Sequence, residues 1–220
     1  MRKLVLLLVT CFILTRDIKA QAWVFVPEYG DTGWQTYSYQ TGPAGFIGTA
    51  GFVVSNVIDN SAYSELLLDN LSHGGGSANR DFEQGDYSGY TLLENSCGEV
   101  TTGVTASSGE IYTATQGEYF SHQLGLGAAA DTESFQNASR QAGTTGSILE
   151  TSVSLPPGSK FTFNWAFLAG DRSPWNDFAL FYLKDNSGKV VFVDGLAQIG
   201  AAPAPGGVSA VVLLLLDAGD

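Results

Sequence analysis

The sequence predicts an all-β fold, a sandwich or jelly roll, on three observations. Short runs rich in β-branched and aromatic residues recur along the chain, and several alternate apolar with polar, as half-buried strands do. Turn signals separate them at even spacing, and 27 of the 220 residues are glycine. No window has convincing helical periodicity. The best is Thr132–Gly143, which has small residues and few breakers.

Taken in order, the predicted strands begin with TYSYQT (Thr36–Thr41) and GFIGTAGFVVSNVI (Gly45–Ile58). YSELLLDNL (Tyr63–Leu71) follows, and its three consecutive leucines, Leu66, Leu67 and Leu68, suit a strand covered on both faces. Further on come GSILETSVSL (Gly146–Leu155) and KFTFNWAFL (Lys160–Leu168), the latter placing Phe161, Phe163, Trp165 and Phe167 on one face. DFALFYLKD (Asp177–Asp185) and KVVFVDGL (Lys189–Leu196) close the set, joined by DNSGK, a hairpin signal. PPGS, GGGSAN and AGTTG mark the other turns.

The ends read differently. Met1–Ala20 starts with Arg2 and Lys3, runs apolar from Leu4 to Leu14, and offers Ala20 as a cleavage position. It is a signal peptide in length and order, too short for a membrane span. The expected location is therefore secreted or at the cell surface. Residues 201–220 contain the linker-like APAPGG and a short apolar run, Val208–Leu216, expected to be a terminal β-strand, with an anchor remnant as the alternative. The domain proper is expected over 21–200.

Formal charge is −12 at pH 7, with 10 Lys and Arg against 22 Asp and Glu. Removing the leader takes away four cations and one anion, leaving −15. So few cations exclude a nucleic-acid partner, whose phosphates need Lys and Arg clusters. Cys97 stands alone once Cys11 leaves with the leader, so no internal disulfide forms. Neither His73 nor His122 sits in a nucleophile motif, and no acid pair is singled out as a glycosidase dyad. The expectation is a protein without catalysis.

Two sets of residues carry chemistry. Acids beside Gly and Asn in turns are natural ligands for a hard cation: Asp69, Asp81, Glu83, Asp171 and Asp177. The loop AGDRSPWNDFA (Ala169–Ala179) joins two apolar strands. In it Trp175 is placed to stack on a sugar ring, while Asp171, Arg172, Asn176 and Asp177 are placed for polar contacts.

KFTFNWAFLAGDRSPWNDFALFYL and VVFVDGLAQIG resemble exported bacterial β-sandwich domains of the PEP-CTERM or choice-of-anchor kind. Gly33–Ser72 is similar to the closing strands of such domains, and RDFEQGDYSGYTLL (Arg80–Leu93) to their opening strand, itself like the start of galactose-binding-like carbohydrate-binding modules. The resemblance implies a jelly-roll sandwich that binds glycan or extracellular matrix, with a structural Ca²⁺ held by Asp69 and Glu83. The motifs stand in reverse order, which implies one circularly permuted domain with its link at 72–80, or a tandem-repeat fragment. Permutation places Gly195–Gly200 near Asp31–Gln35, and the strands of Leu68 and Phe82 side by side. The alternatives are a Ca²⁺-binding, self-associating matrix or surface-layer protein, and a polysaccharide-active hydrolase.

Overall fold

The computed structural model describes residues 22–59, 61–73, 81–128 and 134–201. The expected signal segment, most of the link at 72–80, and residues 202–220 with the expected terminal strand lie outside the described residues. The fold is all-β, and no helix among the described residues is long and apolar enough to cross a membrane.

In chain order the strands are β1 (Val24–Val26), β2 (Gln35–Gln40), β3 (Phe46–Ser55), β4 (Glu65–His73), β5 (Thr91–Leu92), β6 (Cys97–Thr101) and β7 (Val104–Thr105). Next come β8 (Ile111–Tyr112), β9 (Phe120–Leu124), β10 (Gly146–Leu155), β11 (Lys160–Leu168), β12 (Phe178–Asp185) and β13 (Val190–Ile199). One sheet has the order β1-β13-β12-β3-β10-β5, and a second has β2-β11-β4-β9-β6. A small hairpin, β7-β8, stands apart from both. All pairings are antiparallel except β1 with β13, which is parallel. All seven expected runs form strands.

The sandwich-like core follows from the alternation in β11. Phe161, Phe163, Trp165 and Phe167 are fully buried, beside Leu66 and Leu68 of the neighbouring β4 and against Phe52 and Phe181 of the other sheet. The ring of Phe181 lies within 5.2–6.4 Å of Tyr37, Tyr39, Phe52, Phe161, Phe163 and Phe192. The opposite face of the second sheet is also covered. Leu67, Ala166 and Leu168 point outward and pack beneath Ala106, Tyr112 and Phe120. That is the two-sided burial the leucine triplet predicted, and the β7-β8 hairpin supplies the cover. On the outer face of the first sheet, Trp23 and Phe135 pack over Val53, Leu180 and Tyr182.

Residues 134–143 form a bridged loop with no α-helix, in keeping with the weak helical pattern there, and Asn137 draws the chain around itself. Its Oδ1 accepts the amides of Ser139 and Gln141, while Nδ2 donates to Gln141 Oε1. Phe82 lies in a turn rather than a strand beside Leu68: its φ is +65°, and its buried ring stacks on Tyr90. Gly195–Gly200 meets Val24–Val26, where Gly200 N donates to Val26 O, while Gln35 pairs with Trp165 instead. Both large sheets mix strands from residues 22–73 and from residues 81–201, so neither segment completes a sheet by itself.

Candidate functional site

An open groove of about 500 Å³ lies on the outer side of the second sheet, between the Asp31–Trp34 turn and the β7-β8 hairpin. Its position follows from the packing just described. Tyr112 and Ala106 anchor the hairpin on Leu67 and Leu168, which leaves the turn at Ser108–Glu110 standing above the sheet. The opposite wall runs alongside β11: Asp31 bridges Leu168, and Thr32 N donates to Phe167 O.

Asp31 ties the two walls together. Its Oδ1 accepts the Tyr112 hydroxyl at 2.7 Å and the Gly33 amide at 3.1 Å, and its Oδ2 accepts the Ser108 hydroxyl at 2.7 Å. Partial burial works against its charge, but the bonds from Ser108, Tyr112 and Gly33 outweigh it and hold the carboxyl below its usual range. The Tyr112 hydroxyl is pushed well up, first by burial and then by its bond to Asp31. Trp34 forms the aromatic wall. It is half-buried, with edge-on contacts to Tyr112 at 5.9 Å and Phe120 at 5.7 Å, and its Nε1 donates to Thr113 O. Gly33 and Gly109 have positive φ, and a Cβ at either would stand in open space.

The 169–179 loop has a different character. Asp177 is fully buried; its Oδ1 accepts Val57 N and its Oδ2 accepts the Ser64 hydroxyl. Burial pushes its carboxyl up to about 7, opposed by the bonds from Ser64 and Val57 and reinforced by Asp171 and Asp59. Asp171 is also buried, and its Oδ1 accepts the Arg172 amide. Asn176 Nδ2 donates to Gln141 Oε1. Asp177 and Asn176 are therefore turned inward and fasten this loop to Val57, Ser64 and Gln141, while Asp171 is buried against the adjacent Arg172 amide. Arg172 is exposed and lies 5.6 Å from the centre of the half-buried Trp175 ring.

The expected calcium pair is also committed elsewhere. Asp69 is fully buried, and its Oδ2 accepts Thr115 N and Oγ1 at 2.6 Å and Gln116 N at 3.1 Å. Glu83 accepts the amides of Glu118 and Tyr119. Together they clamp the 115–119 turn. Oxygens surrounded by N–H and O–H donors are arranged opposite to what a cation requires, so the pair does not fit calcium. Among the described residues no group of three or more His, Cys, Asp or Glu is placed to hold a metal.

His122 lies between two acids on the second sheet: its Nε2 is 2.7 Å from Glu65 Oε2 and its Nδ1 is 3.6 Å from Glu99 Oε1. No family model, curated protein or solved structure matches the chain. The groove itself was not found from sequence. Its only advance signals were Trp34 and Asp31 flanking Gly33, and nothing local links them to Ser108, 77 residues from Asp31.

Proposed function

We propose that the protein is a secreted or cell-surface, non-catalytic binding or adhesion module that takes glycan in the groove between Asp31–Trp34 and the β7-β8 hairpin. The observation that carries this reading is Trp34: an aromatic wall fixed by Tyr112 and Phe120 yet half-exposed, beside a carboxylate fixed by three donors. A stacking platform and an acceptor held in advance lose little freedom on binding, which is how a shallow site gains affinity for a sugar ring. The secreted location rests on the Met1–Ala20 leader.

The fold reading extends to a jelly roll. Its support is the nested antiparallel pairing of β2 with β11, β3 with β10 and β4 with β9, as in one long hairpin wrapped on itself. β13, at the chain's far end, takes the outer place beside β12.

Glycan-array screening of the full chain, followed by calorimetry, tests the function. The expected result is saturable binding that Trp34→Ala abolishes. Because Trp34 also packs, Gly33→Asn serves as a second variant: Asn accepts the left-handed backbone there (φ +62°), and no atom lies within 4 Å of the Cβ it adds. Binding unchanged in both variants refutes the assignment.

A further inference from the structure

We infer that the groove discriminates by charge, taking amino sugars with free amines and rejecting acidic ones; this rests on the glycan-binding reading above. Every side-chain donor that lines it is already spent. The Ser108 and Tyr112 hydroxyls donate to Asp31, and Trp34 Nε1 donates to Thr113 O. The Gly33 amide also points at Asp31, and the Glu110 amide at Ser108 Oγ. No Lys, Arg or His is among the described residues that line it. What the groove presents to a ligand is the ionised Asp31 carboxylate, the exposed Glu110 carboxylate and the face of Trp34.

Such a site has acceptors and negative charge to offer and no uncommitted side-chain donor. A neutral sugar meets it with hydroxyl hydrogens alone. An ammonium adds an ion pair with the exposed Glu110 carboxylate, longer-range attraction to the charge on Asp31, and attraction to the indole face. A uronate or sulfate brings a second anion to a groove without a cation, so its charge is both desolvated and repelled. The net charge of −12 on the chain works in the same direction during encounter.

Calorimetry of the full chain with four soluble oligosaccharides tests this: glucosamine, N-acetylglucosamine, neutral glucose and galacturonate oligomers, in mildly acidic buffer that protonates the amines. The expected order is glucosamine tightest, the two neutral chains weaker, and galacturonate unbound. Glu110→Gln weakens only the glucosamine oligomer, by about threefold, the size of one exposed ion pair. Glu94→Gln removes the same charge from an exposed position outside the groove and leaves the order and affinities unchanged. Equal losses from the two variants mean diffuse charge attraction and overturn the inference. Equal affinity for amine and acetylated chains also overturns it, while leaving glycan binding standing. If no oligosaccharide binds at all, glycan binding itself fails along with the inference.

Discussion

Asp177 offers a direct probe of the buried end of the sandwich. Its carboxyl is raised from an ordinary 3.8 to about 7 by burial, despite the Ser64 and Val57 donors. Below about pH 4 the group is protonated in folded and unfolded chains alike and contributes no pH dependence. Between about 4 and 7 the unfolded chain loses a proton that the folded chain keeps, so stability falls by about 1.4 kcal/mol per pH unit. Over that interval the loss reaches about 4 kcal/mol, and above pH 7 it levels off. Asp177→Asn keeps the shape, leaves Oδ1 to accept Val57 N, and turns its amide toward Ser64 Oγ, which can accept. The variant therefore becomes more stable relative to its parent as pH rises, by up to about 4 kcal/mol between pH 4 and 8, or on the order of 10 °C in Tm. Urea unfolding of both proteins across that range measures the difference, in which unrelated acids cancel. A difference that stays flat from pH 4 to 8 refutes the reasoning.

Other substitutions read other parts of the molecule. Phe181→Ala removes the ring at the centre of the aromatic cluster and is expected to cost about 3–5 kcal/mol in denaturant unfolding; a loss under about 1 kcal/mol would mean the sheets do not close there. Asp31→Asn replaces a carboxylate that accepts three donors, with an expected cost of about 1.5–3 kcal/mol at neutral pH. Since the Asp31 carboxyl is held low, its contribution is present above about pH 4 and is lost as acid protonates it, so the variant and parent converge in acid. Asp69→Ala frees the 115–119 turn, and amide hydrogen exchange at Thr115 and Gln116 is expected to rise. A chelator leaves the parent's Tm unchanged if the Asp69 carboxylate serves only those amides, whereas a drop in Tm reinstates an ion there.

The strands legible in the sequence are those whose alternation the sheets enforce. Phe161 to Phe167 and Leu66 to Leu68 announce their burial because both faces of β11 and β4 are covered. The β7-β8 hairpin has two-residue strands around a Ser-Ser-Gly turn, and Ala106, Tyr112 and Ser108 fix it by packing on, or bonding to, residues far away in the chain. No local pattern encodes such a contact. The acids were misplaced for a related reason. Asp69, Glu83, Asp171 and Asp177 sit in turn-like sequence, and turn acids serve backbone amides and cations equally well until the opposing loop is known. Residues 115–119 took Asp69 and Glu83, and Val57 with Ser64 took Asp177. Trp175 and Arg172 lie side by side at the rim of the 169–179 loop, with Asp171 and Asp177 buried behind them. Trp34 drew less notice because its significance depends on Asp31 being locked by a hairpin 77 residues on.

The claim that the groove binds sugar is tested most directly by calorimetric titration of the full chain and its Gly33→Asn variant with the best oligosaccharide from an array. Saturable binding by the parent and none by the variant is the expected result, with the two unfolding at the same temperature. Equal binding by both proteins, or no binding by the parent to any glycan, contradicts it.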